Sequence, residues 1–214
     1  MFNLASDFTF CRLTPELASR CGEYFCSKNP DISEFFHKDY VKYAGELLGK
    51  SYCFVTNDES ARIACAFTLA NSAINMQEVS PKRRNRFNRS IPNAKRSRQY
   101  PAVLIGRLAV FDGFEGHHLG YDLMDFIKAW FIDPLNKTGC RFLIVDAVNH
   151  PKVIDYYCQN GFVFLFESEE EENNATHNGS KKESTTRLMY FDLIKLKTER
   201  PVVDADEQQT ETMI

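Results

Sequence analysis

The segment from Tyr100 to Gly120, YPAVLIGRLAVFDGFEGHHLG, constrains this chain more than any other. Pro101 to Val110 is an apolar run interrupted only by Gly106 and Arg107, which predicts a strand covered on both faces. The Gly-Arg pair inside it predicts a bulge, where another backbone or a ligand comes close. A glycine-punctuated turn follows and opens a helix from about His117 to Ile132. Leu119, Leu123, Phe126, Ile127, Trp130 and Phe131 form one wide apolar stripe on that helix. Asp133-Pro134 ends it. A helix N-terminus placed behind such a turn offers unsatisfied N–H groups and the positive end of the helix dipole, so it attracts anions such as phosphate.

The rest of the chain supplies elements around this junction. Phe8 to Leu13 reads as a first strand. Thr14 then caps a helix over Pro15 to Cys26, with proline at its first position. Asn29-Pro30-Asp31 breaks that helix, and Tyr40, Tyr43, Ala44, Leu47 and Leu48 mark a second one by their spacing. Tyr52–Thr56 and Arg62–Ala70 read as a hairpin. Lys82 to Arg98, KRRNRFNRSIPNAKRSR, has eight basic residues, no acidic one and no strong periodicity. Arg141–Ala147 is a buried strand, Pro151 starts a short helix that closes on Gly161, and Phe162–Phe166 is another strand. Glu167 to Glu183 reads as a long polar loop beginning ESEEEE, and Thr186–Ile194 is the last strand.

Strands alternating with crossover helices place the fold in the α/β (α+β) class, with a right-handed crossover expected between 103 and 147. The 214 residues suffice for one large domain, read as 1–196. The acidic segment 197–214 reads as a disordered tail. There is no run of 18 uncharged apolar residues and no signal-peptide pattern at the N-terminus, so a cytoplasmic protein without a membrane span is expected. The seven cysteines include no C-x-x-C pair and read as buried free thiols. No metal site is expected.

Three pieces together resemble the GNAT acetyltransferase superfamily, over roughly Ala61 to Ile194. Leu104 to Val110 is similar to the strand whose amides pair with the pantetheine arm of acetyl-CoA. Glu115 to Gly120 sits where the family has its pyrophosphate loop, usually (Gln/Arg)-x-x-Gly-x-(Gly/Ala). Tyr156-Tyr157-Cys158-Gln159-Asn160-Gly161-Phe162 resembles the family's closing F-Y-x-x-x-G-F. "GRLAV" after a basic segment and "YPAV" looks most like the bacterial branch that includes tRNA-acetylating toxins. The resemblance implies a mixed, mostly antiparallel sheet of six to seven strands flanked by helices, with a splayed strand pair holding acetyl-CoA. It also departs from the pattern: Glu115 replaces the usual Gln/Arg, and His118 replaces the first glycine. A carboxylate and a bulky side chain both disfavour close approach of a pyrophosphate.

On that resemblance, acetyl-CoA is the expected cofactor. Leu108, Ala109 and Val110 polarise its carbonyl, the amides of Glu115, Gly116, His117, His118, Leu119, Gly120 and Tyr121 hold its pyrophosphate, and Asn149 lies nearby. Tyr157 is the general acid toward the departing thiolate; its plain alternative is a core aromatic. Asn149 alternatively caps the helix that follows. Arg107 contacts the acceptor or forms a rim salt bridge. Arg83, Arg84 and Arg86 contact a substrate carrying phosphates, or belong to a solvated loop balanced by ESEEEE. Asp146 is a candidate base. The expected activity is acetyl transfer to a primary amine on a small molecule, peptide or aminoacyl-tRNA. The rival is a non-catalytic module of the same fold that binds nucleic acid or a protein through 82–98. Phe111 and Phe114, apolar residues in a loop, suggest a homodimer.

Overall fold

The computed structural model describes residues 2–89, 91–92, 98–136, 138–176 and 184–198. Seven strands form one sheet: β1 (Phe8–Arg12), β2 (Lys50–Thr56), β3 (Ile63–Asn75), β4 (Gln99–Val110), β5 (Phe142–Val148), β6 (Val163–Phe164) and β7 (Thr186–Asp192). Their order is β1-β2-β3-β4-β5-β7-β6. Every neighbouring pair is antiparallel except β4 and β5. This is the mixed, mostly antiparallel sheet that the family resemblance implies.

The β4–β5 pair shapes the centre. It holds only three rungs, Ala102 with Phe142, Val103 with Leu143 and Leu104 with Ile144. Beyond them β4 continues alongside β3 only, and β5 alongside β7 only. The parting coincides with a bulge: Thr68 faces Arg107 and Leu69 faces Ile105, so Gly106 is the extra residue. A bulge bends its strand and shifts the alternation of faces by one. Val103 and Ile105 therefore share a face with Leu108 and Val110, whereas Ala109 turns to the opposite side. The expected bulge is present, and it explains why the two strands splay.

Among the described residues the helices around the sheet are α1 (Leu4–Asp7), α2 (Pro15–Arg20), α3 (Pro30–Glu34), a π-helical turn over Phe35–Asp39 that runs into α4 (Tyr40–Gly45), α5 (Pro81–Asn88), α6 (Leu119–Ile132), α7 (Pro151–Gln159), α8 (Glu169–Thr176) and α9 (Ile194–Thr198). On one face, α6 and α7 pack with Phe54, Phe67, Val103, Ile105, Leu143, Val145 and Met189. The other face carries two smaller cores. One lies under α2 to α4 around Phe36, Cys53 and Phe111; the other lies under α5 around Phe87, Tyr100 and Phe142.

Several local expectations are corrected. The helix after Thr14 stops at Arg20, although Thr14 does accept the Leu17 amide at 3.2 Å. Asn29-Pro30-Asp31 does more than break a helix: Asn29 caps α3 through the Ile32 amide, and Pro30 takes the first helical position. The basic segment is helical over Pro81–Asn88, and the polar loop after Phe166 contains α8. The strand expected over 162–166 shrinks to Val163–Phe164. Phe111 and Phe114 are only 1% and 4% exposed, so the chain covers them itself and they give no argument for a dimer. The tail over 197–214 lies almost wholly outside the described residues. All seven cysteines are unpaired. No described helix is long and apolar enough to cross a membrane, and no described cluster of side chains suits a metal.

Candidate active site

The turn before α6 is shaped by three left-handed residues, Gly113, Gly116 and His118, with φ of 86°, 77° and 61°. His118 is the N-cap and makes no side-chain capping bond. Its carbonyl accepts from Tyr121 and Asp122 at 2.9 and 3.2 Å, which closes the first turn. Among the described residues, the amides of His117, His118, Leu119 and Gly120 donate to no protein group. A helix start of this kind is a ready anion cradle. The His118 ring is exposed, so it leaves the cradle open. The sequence pattern calls for glycine here because φ is positive, and histidine holds the same backbone at some cost in strain.

Glu115 is not free to repel an anion. The Lys28 ammonium forms an ion pair with its carboxylate. The two residues are 87 positions apart, and nothing local in the sequence marks the pair. The contact is buttressed: the Ser27 amide donates to both Asp112 carboxylate oxygens at 3.2 Å, and the Asp112 amide donates to the Phe25 carbonyl at 2.8 Å. The segment between α2 and α3 is thereby clamped onto the turn. The carboxylate raises the affinity of Lys28 for its proton, first by hydrogen bonding and then by charge.

Gly120 and the tyrosines join α6 to α7. The Tyr156 hydroxyl donates to the Gly120 carbonyl at 2.6 Å, and its ring would lie 3.5 Å from any Cβ at position 120. The Tyr121 hydroxyl donates to Gln159 Oε1 at 2.7 Å. Tyr156 is thus a strut between the helices. Tyr157 is different: half-buried against Phe162, its hydroxyl has no hydrogen-bond partner among the described residues. Burial pushes its phenol up to about 12, so it stays protonated near neutrality. Burial likewise raises Tyr156 above the ordinary phenol range. Leu108, Ala109 and Val110 lie on β4 past the last β5 rung, where main-chain groups on the β5 side have no strand partner.

Asn149 is not the cap of α7. Pro151 at the first helical position makes His150 the cap, and the Asn149 amide group donates to the Ser184 carbonyl at 3.1 Å. That side chain ties β5 to the start of β7. Asp146 lies on β5 two residues past the last β4 rung. Its carboxyl has no partner among the described residues, and the groups around it raise its pKa by partial desolvation although the side chain reaches solvent.

On the opposite sheet face, Arg107 is exposed, lies 5.3 Å over the Phe35 ring and bonds its neighbour's carbonyl at 2.8 Å. It makes no ion pair among the described residues, so the rim salt bridge is absent. Phe87 anchors α5, its ring 4.9 Å from Phe142 and 5.3 Å from Tyr190. Burying such a ring contributes about 1.5–3 kcal/mol. Arg83 points inward and donates to the Phe164 carbonyl, which assigns it to structure. Arg84 and Arg86 carry no ion pair among the described residues. The acidic run serves other ends: Glu171 accepts from the Ser80 amide at 2.9 Å, and Glu172 and Glu169 hold Arg187.

Solved structures with this architecture are readily found. A tyrosine-to-phenylalanine mutant of KacT matches at a TM-score of 0.63 and 15% identity, over 91% of this chain and all of that one. AtaT in complex with acetyl-methionyl-tRNAfMet matches at 0.62 and 18%, over 90% of this chain and 99% of the other. AtaTR bound with acetyl-CoA matches at 0.59 and 17%, over 90% and 98%. This chain has the GNAT fold. At these identities the likeness concerns the fold alone. No protein-family model matches the sequence, and no curated protein sequence matches it.

Proposed function

We propose that this GNAT-fold chain is an acyltransferase that moves an acetyl group from acetyl-CoA to a primary amine, with aminoacyl-tRNA the favoured acceptor class. The observation that carries the reading is the set of unsatisfied amides at the start of α6, at the open end of the splayed β4–β5 pair. These residues fit the cofactor. The amides suit a pyrophosphate, Lys28 neutralises Glu115, and the His118 side chain is exposed. Bound there, acetyl-CoA supplies the reactive thioester.

The chain's own residues then have distinct tasks. The unpaired main-chain groups of Leu108 to Val110 orient the acetyl carbonyl and stabilise charge developing on its oxygen. Tyr157 keeps a proton on its phenol and gives it to the sulfur as the C–S bond breaks. The attacking nitrogen loses a proton to solvent or to the Asp146 carboxylate. An α-amino group, with pKa near 8, is already partly neutral at pH 7 and makes a small demand on any base. Arg84, Arg86 and Arg107 are cations without an ion pair among the described residues, which suits an acceptor carrying phosphates. AtaT's complex with an acetylated initiator tRNA supports the same acceptor class.

The test is thiol release and label transfer from acetyl-CoA to a charged tRNA pool and a panel of small amines. The wild type should transfer to at least one acceptor. Tyr157→Phe should lose roughly 10²-fold or more in turnover while cofactor affinity stays unchanged. Transfer that is indifferent to Tyr157→Phe would remove it from the chemistry. Cofactor binding without transfer to any acceptor, combined with a tRNA gel shift lost when Arg84 and Arg86 are neutralised, would favour the non-catalytic module.

A further inference from the structure

A cavity of about 750 Å³ lies on the flank of α6 that faces away from α7. The α7 side of the helix is marked by Gly120 and Tyr121, which meet Tyr156 and Gln159. The cavity side is marked by Asp122, Asp125, Phe126 and Ala129. Across from them stand the N-terminal segment and the sheet edge, with Phe2, Phe8, Phe10 and Phe54. The volume falls within the range of small-molecule sites, roughly 300–1,000 Å³.

Its chemistry is specific. Phe2 and Phe8 meet edge to face at 5.5 Å, and Phe10 and Phe126 lie tilted to one another at 4.7 Å. Asp122 and Asp125, three residues apart, project from the same side of the helix. Asp125 already pairs with Lys128 at 2.9 Å. Asp122 has no side-chain partner among the described residues and is half-buried. Aromatic walls with one uncommitted carboxylate complement a cation that carries an apolar body. Away from the His117–His118 end, an anion in this cavity would meet the two carboxylates and is disfavoured there.

We propose that this cavity is a binding site for a small organic cation, with its apolar body among the phenylalanines and its ammonium at Asp122. His117 and His118 also line the cavity and border the cradle at the start of α6, but the inference rests on Asp122 and the phenylalanines, which have no part in the acetyl-transfer reading. The single tryptophan, Trp130, gives a direct readout: its ring lies 5.1 Å from Phe10 and 6.0 Å from Phe126.

The test titrates the full chain with benzyltrimethylammonium, which cannot be acetylated, and follows Trp130 fluorescence. A saturable change at about millimolar concentration or below is expected. Asp122→Asn should weaken it about tenfold, and benzyl alcohol, which keeps the ring and lacks the charge, should bind about tenfold more weakly. Ala129→Leu, which fills the groove from an exposed helical position, should abolish the response with thermal stability retained. No saturable change at about 10 mM probe, an equal response to benzyl alcohol, or a response untouched by Ala129→Leu would each overturn the proposal.

Discussion

Removing the buried Glu172 carboxylate should destabilise the protein more than most single changes of a charged residue. Glu172 on α8 and Arg187 on β7 are only 6% and 9% exposed, and their carboxylate and guanidinium meet at 2.7 Å. The second carboxylate oxygen accepts the Leu188 amide at 2.5 Å. Arg187 also stands 4.5 Å over the Phe164 ring, which leaves it little room to turn toward water. Glu172→Ala leaves a buried cation and a buried N–H without their acceptor. Breaking a buried pair costs about 3–5 kcal/mol, and an orphaned N–H about 1–3 more. Glu169, 3.3 Å from Arg187 and half-exposed, offsets part of this. The net expectation is about 3–4 kcal/mol, a large share of the 5–15 kcal/mol typical of a domain. In thermal melts this corresponds to roughly 6–16 °C at this chain length. Urea unfolding should show the midpoint falling with the slope unchanged. The double variant Glu172→Leu/Arg187→Met should recover the part of the loss due to the unpaired charge, while the Leu188 amide stays without its acceptor. A loss below about 1 kcal/mol for Glu172→Ala, or a double variant no better than the single one, would refute the reasoning.

Three further outcomes follow from the backbone and the tyrosines. His118→Gly should stabilise the protein by about 0.5–1 kcal/mol in the same urea assay, because a non-glycine residue at φ 61° carries strain. Gly161→Ala should destabilise by about 1–2 kcal/mol, because φ is 79° and a Cβ would lie 3.0 Å from the Phe191 ring. For Tyr157, the folded-state pKa of about 12 lies above the ordinary phenol value of 10.0. The native state thus holds its proton longer than the unfolded chain, and stability falls as pH rises through that window. Tyr157→Phe should flatten that alkaline loss, and wild-type turnover should show no decline attributable to Tyr157 below pH 10.

Much of the fold is legible in the sequence where one residue pattern has one physical solution. The apolar run through 101–110, broken by Gly106, has to be a buried strand with an irregularity, and the structure places the extra residue at Gly106. Pro15, Pro151 and Gly161 punctuate helices as their backbones require. A first-position proline follows its cap directly, so Pro151 places the α7 cap at His150. What could not be read locally is long-range. Helices α5 and α8 are polar nearly all round, and the one buried side chain each supplies among the described residues, Phe87 in one and Glu172 in the other, carries no local periodic signal. The Lys28–Glu115 pair spans 87 positions, and without it Glu115 looks hostile to phosphate. The basic segment looked uniformly available, yet only the fold separates Arg83, turned toward the Phe164 carbonyl, from Arg84 and Arg86.

The central claim is that the cradle at the start of α6 holds acetyl-CoA despite Glu115 and His118. Calorimetric titration of the purified chain with acetyl-CoA tests it most directly. The account expects binding with about micromolar affinity, weakened by Lys28→Ala, an effect that shrinks at high salt because the exposed charges are screened. The absence of binding at about millimolar cofactor, with the protein folded, would contradict it.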